Sequence, residues 1–383
     1  MSRRALVVVI DALGAGALPD AADYGDAGAN TLAHLAEAVG GLRLPTFERL
    51  GLGSILPIEG VAPASDPAIH GRLAAQGPGK DSTAGHWELM GVVADVAPPT
   101  YPRGFPQALM AQLEQVTGHE LMGGRPADGL AAIAEQGAEH LRTGALIVYT
   151  SQDSVLQIAA HVDRLPVAEL HELCARVRAE MTGEHAVGRV IARPFAGEPG
   201  AFHRVDGRRD FALAPPKRSY LDELCAAGVP THAVGKVGDL FAGRGFDELH
   251  AGATNATALD ATTRLLAELD GGFVFTNLIE TDQVYGHRKD VEGFHAALRE
   301  IDARVAEWLD TLRAGDLLVL TADHGVDPAA QHTDHTREHV PLLAVAHGVP
   351  GRRHDGALAD VGASVLRWLT AHDAPALPGH AFL

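Results

Sequence analysis

ALVVVID, Ala5 to Asp11, is a run of six apolar residues that ends directly on a carboxylate. The run is too short for a signal-peptide core or a membrane span. Its apolar residues are continuous rather than alternating, so it reads as a strand buried on both faces of a parallel sheet. The same shape returns in ALIVYT before Ser151, THAVG before Lys236, FVFTNLIE before Thr281 and DLLVLTA before Asp323. Between these runs lie TLAHLAEAV, DATTRLLAEL and FHAALREIDARVAEWLDTL, with apolar residues at the three- and four-residue spacing of helices. Alternating strand and helix predict an α/β fold with a doubly wound, mostly parallel sheet. Functional groups in such a sheet collect at the carboxyl ends of the strands.

The chain has 383 residues, enough for one large domain or two at roughly 150 residues each. Apolar residues make up 46% and charged residues 21%, the balance of a folded globular protein rather than a disordered one. A formal charge of −18 argues against a broad basic surface for nucleic acid. Cys174 and Cys225 are the only cysteines, too few for a disulfide framework or a thiolate metal cage, so a cytoplasmic location is expected. Proline clusters at VAPPTYPRGFP, Val96 to Pro106, and LAPPKRS, Leu213 to Ser219, punctuate the middle of the chain. They suggest crossings between domains, with an inserted cap at 98–213 and a discontinuous core made of 1–97 and 214–383; exposed loops are the alternative.

Four separated pieces carry metal-ligand residue types: Asp11, DQVYGH (Asp282 to His287), ADHG (Ala322 to Gly325) and TDHTRE (Thr333 to Glu338). Mixed aspartate and histidine suit manganese or zinc better than calcium, which prefers oxygen alone. Each piece has an ordinary reading as well. An aspartate after a strand is usually a helix cap or turn residue, and Asp282 with His287 would by themselves suggest a structural hydrogen bond. Their joint placement at the ends of elements in one α/β pattern is the stronger signal.

Taken with GKDSTAGHWE, Gly79 to Glu88, these pieces resemble the phosphopentomutase family of the alkaline phosphatase superfamily. YTSQDSVLQIAAH, Tyr149 to His161, and IARPFAGEPG, Ile191 to Gly200, resemble that family's cap segments, and the resemblance runs to about residue 367. It implies a core of alkaline-phosphatase type, an inserted α+β cap, and two divalent ions, usually manganese. One ion would be held by Asp11, Asp323 and His324, the other by Asp282, His287 and His335. His332 and His339 fall outside the pattern.

Aligned backwards from the glycine-histidine pair, the family's phosphorylated threonine falls on Ser82. A serine hydroxyl is a poor nucleophile at neutral pH and needs activation, which cations supply. Gly79 and Gly85 would let the backbone turn tightly beside a phosphate; a Ser/Thr helix cap is the plainer reading and is compatible with catalysis. Serine in place of threonine is a departure from the family, as are Glu280, commonly Asp, and Val326, commonly Asn. In an extended strand Glu280 would point to the same side as Asp282.

The activity the resemblance implies is exchange between ribose 1-phosphate and ribose 5-phosphate, and their 2-deoxy equivalents. It would run through phosphoserine and a bound 1,5-bisphosphate, with a sugar bisphosphate as candidate activator. The expected partners are pentose phosphates, with no nucleic acid or membrane. A cap would exclude water while the intermediate reorients. Arg193, Arg208 and Lys236 are candidate phosphate ligands and Asp153 a candidate for sugar hydroxyls, although Arg208 and Lys236 could equally be solvated surface charges, Arg193 less so. Trp87 and Glu88 read as loop supports. The rival activity is a metal-dependent phosphatase or phosphodiesterase of the same superfamily. The Asn-Ser-Glu-Val-Gly-His loop of cofactor-independent phosphoglycerate mutase is replaced here by DSTAGH. A non-catalytic binding protein would be expected to have lost a ligand.

Overall fold

The first apolar run becomes β1, Arg4–Ile10, with every residue buried. The computed structural model describes residues 3–151 and 154–383, and the chain divides into two units, 1–96 with 215–383, and 97–214.

In the first unit the remaining strands are β2 (Ile69–Ala74), β3 (Thr231–Val234), β4 (Glu248–His250), β5 (Gly272–Leu278), β6 (Asp316–Thr321), β7 (Val340–Ala346) and β8 (Gly356–Ala357). They form one sheet in the order β4-β3-β5-β1-β6-β7-β2-β8. Only β7 runs against the others, pairing antiparallel with β6 and β2. The helices that matter below are α1 (Thr31–Ala38), α2 (Ser82–Leu89), α3 (Asn255–Glu268) and α4 (Val291–Thr311). α4 buries Phe294, Ala297, Leu298, Ile301, Val305 and Trp308, one stripe at helical spacing, and Asp290 caps its first turn by accepting from the Gly293 amide.

Arg4 and Asp316 face each other in the β1–β6 register. The guanidinium donates Nε to Oδ1 at 2.7 Å and Nη2 to Oδ2 at 2.5 Å, both groups buried. Losing one partner would strand a buried charge, a cost of about 3–5 kcal/mol. The pair therefore pins the amino-terminal ends of two adjacent strands.

The carboxyl ends carry the chemistry. β1 lies between β5 and β6, with Ile10 opposite Leu278 and Val9 opposite Thr321. Residues just past these positions must meet: Asp11 after β1, the 281–288 turns after β5, and Asp323 with His324 after β6.

The second unit is an α+β body. Strands Leu121–Pro126, Leu146–Thr150, Val155–His161, Arg189–Ala196 and His203–Arg204 follow one another in the sheet, with Arg209–Ala212 also paired to Arg189–Ala196. Helices Gln107–Thr117, Gly129–Thr143 and Val167–Glu180 complete it. Its core includes Leu109, Leu113, Leu146, Val148, Leu156, Ile158, Leu170 and Val190. The ALIVYT run thus belongs to this mixed sheet rather than to the parallel one.

Candidate metal centre and nucleophile

Ser82 opens α2, but it is not the cap. Asp81 is, its Oδ1 accepting from the Thr83 and Ala84 amides at 2.9 and 3.2 Å. The cap contributes about 1 kcal/mol and leaves the serine hydroxyl free for other work. The capped amides are already spent, so an incoming phosphate at Ser82 needs charge from side chains and cations. Gly85 explains how close α2 comes to the β6 end: a Cβ there would stand 2.4 Å from the Asp323 carbonyl oxygen, so no larger residue fits.

Ser82 is buried, and its Oγ lies 3.2 Å from His324 Nε2. The same nitrogen is 3.3 Å from Asp11 Oδ1 and 3.4 Å from Asp323 Oδ2. A few ångströms away, Asp282 Oδ1 lies 3.4 Å from His287 Nε2 and 3.5 Å from His335 Nε2. These separations match the edges of a tetrahedron around one ion, about 3.3–3.6 Å when each ligand atom sits about 2.0–2.2 Å from the metal. Ligand atoms from Asp282, His287 and His335, and from Asp11, Asp282 and His324, gather in two groups. Asp282 belongs to both. The grouping expected from the family resemblance put Asp323 with Asp11 and His324 instead; Asp323 does approach His324, but its Oδ2 is nearer to His86 Nδ1, at 3.1 Å.

The donor set fits divalent cations. Asp11 Oδ1, Asp282 Oδ1 and Asp323 Oδ2 are buried and have no hydrogen-bond partner among the described residues, a costly state for a carboxylate oxygen unless a cation answers it. His287 Nδ1 donates to the Thr333 carbonyl at 2.6 Å and His324 Nδ1 to the Gly325 carbonyl at 3.2 Å. Anchoring Nδ1–H on the main chain turns the Nε2 lone pair toward the carboxylates, the usual arrangement of a metal-ligating histidine. Electrostatics agree. Burial would strip the proton from His324, yet Asp323, Asp11 and Asp282 push its pKa up to about 10. The neighbouring Asp282 carboxylate pushes His287 up to about 9 against burial. Burial, then Asp323 and Asp282, raise Asp11. Burial also presses upward on Asp282 and Asp323, but the neighbouring histidines hold both below the usual carboxylate range. Three carboxylates at one point demand positive charge, and a divalent cation takes the Nε2 lone pairs that protons would otherwise occupy.

Two residues that sequence reasoning left without a role sit beneath this cluster. Asn277, buried in β5, donates Nδ2 to Asp11 Oδ2 at 2.9 Å and to His86 Nε2 at 3.2 Å. A carboxylate only accepts, so the amide orientation is set by Asp11. His86 Nε2 must then accept and Nδ1 carries the proton, which goes to the Ser82 carbonyl at 2.8 Å. Asn277 thereby links Asp11, through His86, to the first turn of α2. The available signal was a lone amide inside the apolar run FVFTNL.

Glu280 does not face the cluster. β5 ends at Leu278 and the chain passes into a π-helical turn at Thr281–Tyr285 and a 3-10 turn at Gly286–Arg288, so strand alternation no longer applies. Glu280 Oε2 instead accepts from the Asn255 amide at 2.6 Å, and Asn255 Oδ1 accepts from the Glu280 amide at 3.1 Å, fastening the turn to α3. Val326 packs on Gly286, where a Cβ would stand 3.2 Å from its Cγ1.

The GKDS loop is held from below. Glu88 accepts from the Gln76 and Gly77 amides at 2.7 and 2.8 Å, and Trp87 Nε1 donates to the Leu240 carbonyl at 2.8 Å. Arg337 is 4% exposed. It gives Nη1 to the Gly79 carbonyl at 2.7 Å and Nη2 to Asp20 at 3.0 Å, and lies over the Tyr24 ring. His332 bonds Asp26 and His339 faces the Gly16 carbonyl. Arg337→Lys keeps the charge and loses the fork. We expect kcat to fall about 10–100-fold with little change in melting temperature; stopped-rate assays and thermal melts check it, and an unchanged kcat would refute the latch.

Lys236 follows β3, at the same end of the sheet as the cluster, and immediately precedes the short helix Val237–Leu240. In the second unit Arg193 Nε donates to Gln157 at 3.0 Å. Arg208 gives Nε and Nη2 to Asp210 at 2.8 Å each and is half exposed. Asp153 lies outside the described residues.

An α/β sheet with aspartate and histidine clusters at its strand ends and a buried hydroxyl beside one of them is the arrangement of a metalloenzyme. Residues 3–373 match the family model of the metalloenzyme superfamily. The fold is similar to that of PH0037 from Pyrococcus horikoshii (15% identity, 98% of each chain, TM-score 0.50). It is also similar to Leishmania mexicana phosphoglycerate mutase (16% identity, 98% of this chain and 96% of that one, TM-score 0.52). Much nearer in sequence are phosphopentomutases from Caldanaerobacter subterraneus subsp. tengcongensis (46% identity, 95% of this chain and 94% of the relative) and Anaeromyxobacter sp. strain K (48%, 96% of each). That from Desulfitobacterium hafniense is 43% identical, with 100% of this chain and 99% of the relative covered. The chain belongs to the phosphopentomutase family.

Proposed function

We propose that this chain interconverts ribose 1-phosphate and ribose 5-phosphate, and the 2-deoxyribose equivalents, with Ser82 as the phosphorylated residue. The observation that carries the reading is the buried Ser82 Oγ, 3.2 Å from Nε2 of His324, a member of the Asp11–Asp282–His324 group, in a chain 43–48% identical to phosphopentomutases. Asp11, Asp323 and His324 would hold one ion and Asp282, His287 and His335 the other, with Asp282 placed to serve both; manganese suits the mixed nitrogen and oxygen donors. When bound, the cations lower the pKa of the attacking hydroxyl and neutralise phosphoryl charge.

Phosphorylated Ser82 gives its phosphoryl group to the free sugar hydroxyl. The P–Oγ bond breaks, a P–O bond to the sugar forms, and the sugar hydroxyl's proton ends on Ser82 Oγ. The bound 1,5-bisphosphate then turns, its other P–O bond to the sugar breaks as a new P–Oγ bond forms, and the Ser82 hydroxyl proton passes to the freed sugar oxygen, restoring the phosphoenzyme. Residues 98–213 are assigned as the substrate-binding cap and 1–97 with 214–383 as the catalytic core. Arg193, Arg208 and Lys236 are assigned to phosphate and Asp153 to sugar hydroxyls; arginine suits a group that must be held in either orientation. For Arg208 that means giving up Asp210. Asn277, His86 and Arg337 hold Ser82 in place. A sugar bisphosphate is the candidate activator, supplying the first phosphoryl group. The reaction is placed in the cytoplasm, consistent with free thiols at Cys174 and Cys225.

Phosphorus NMR of the Mn2+-loaded protein with ribose 5-phosphate tests the reading. A growing ribose 1-phosphate signal is expected; inorganic phosphate in its place would mean that the site works as a phosphatase. Ser82→Thr restores the β-branch that stiffens χ1 and is expected to lower the ratio of phosphate release to phosphoryl transfer. An unchanged or higher ratio would show that side-chain stiffness does not protect the phosphoenzyme.

A further inference from the structure

We propose that His232, Glu248 and His250 form a separate transition-metal site at the edge of the core sheet, selective for Zn2+-like ions over Mn2+. β4 is the outermost strand and pairs in parallel with β3, placing Glu248 opposite His232 and His250 opposite Val234. Glu248 and His250 are two apart on one strand, so both side chains stand on the same face, and His232 reaches them from the neighbouring strand.

The three ligand atoms form a compact triangle. His232 Nδ1 is 3.1 Å from His250 Nε2 and 3.8 Å from Glu248 Oε2, and the third side is 3.7 Å. A single point in its plane lies about 2.1 Å from all three atoms, the distance at which zinc binds imidazole and carboxylate. The three atoms already stand at separations that one such ion can span, once the proton shared by the two imidazoles is displaced. Two histidines and a carboxylate also form a complete three-residue zinc set that leaves a position for water. Exposure rises from 5% at the His232 side chain through 13% at His250 to 63% at Glu248, so solvent can enter from the carboxylate side while the imidazoles stay shielded. Burial, followed by the neighbouring His232, lowers the His250 pKa, which favours the neutral ring a metal requires. With Nδ1 as its ligand atom, His232 carries its proton on Nε2.

None of these residues touches the Ser82 cluster's hydrogen bonds described above, so the site is independent of the mutase reading. Its physical effect is to tie the edge strand β4 to β3. Two nitrogens and an oxygen bind zinc more tightly than manganese by the usual order of divalent affinities.

The test is equilibrium dialysis of the full chain, kept in excess MnCl2, against micromolar ZnCl2, with bound zinc counted per chain. The wild type is compared with Glu248→Gln and His250→Ala, whose partly exposed side chains make folding failure less of a concern than at buried His232. Wild type is expected to hold one zinc more than His250→Ala. Glu248→Gln should bind that zinc about 10-fold or more weakly, and both variants should retain Mn2+-supported turnover. Zinc is also expected to raise the wild-type melting temperature by a few degrees but not that of His250→Ala. Equal zinc uptake by all three proteins, or an anomalous difference map of zinc-soaked crystals with no peak between the three side chains, would overturn the proposal and leave a histidine–histidine hydrogen bond.

Discussion

Ser82→Ala is expected to lower ribose phosphate interconversion at least about 10⁴-fold, the scale on which an enzyme loses its nucleophile. The substitution removes one oxygen and little else. Helix α2 keeps its cap, because Asp81 rather than Ser82 accepts from the first amides, and His86 still bonds the main-chain carbonyl of residue 82. Melting temperature should therefore stay within a few degrees. Phosphorus NMR reads the lost ribose 1-phosphate signal, and intact-protein mass spectrometry reads the lost phosphoserine. Thr83 provides the control: loss of activity in Thr83→Ala with retention in Ser82→Ala would move the nucleophile one residue along the chain.

The second large effect is expected at Asp282. Asp282→Asn preserves shape and removes one charge, yet the carboxylate belongs to both ligand groups. Its loss should cost well over the about 100-fold seen when an outer partner of a metal ligand is removed. It should also exceed the loss in His287→Ala or His335→Ala, each of which serves a single group. Metal analysis after dialysis should show depletion of both ions, and the rise in melting temperature produced by Mn2+ in the wild type should disappear. A variant that retained one full equivalent of Mn2+ would show that Asp282 serves one ion only.

Much of this architecture was legible before folding. Continuous apolar runs ending in Asp11, Thr281 and Asp323 announce parallel strands because a strand covered on both faces needs no alternation, and the helices between them follow their apolar spacing. The residue types at the strand ends carry the metal chemistry, and GKDSTAGHWE locates the hydroxyl. Local rules failed where the backbone changed geometry. Glu280 was read as a strand residue pointing to the same side as Asp282, but the strand ends at Leu278 and the π-helical turn begins at Thr281, and its carboxylate accepts from the Asn255 amide. The cap at α2 was another such case: aspartate and serine are adjacent and both cap helices, so only the backbone shows that Asp81 does it.

The sequence by itself determined the family, the α/β alternation, the set of aspartates and histidines that could bind metal, and the hydroxyl they surround. These rest on residue type and short spacing, which a linear chain displays directly. Tertiary structure alone decided how closely those side chains approach one another and that Asp282 stands in both groups. Asp11 lies hundreds of positions before Asp282 and Asp323, and the three meet because β1 lies between β5 and β6 in a register set by many side chains at once. The β1–β5 pairing placed Asn277 under Asp11, the separate β3–β4 pairing brought His250 to His232, and the packing of the loops laid Arg337 against the Gly79 carbonyl. Strand order and register follow from collective burial, and no local stretch of sequence encodes them.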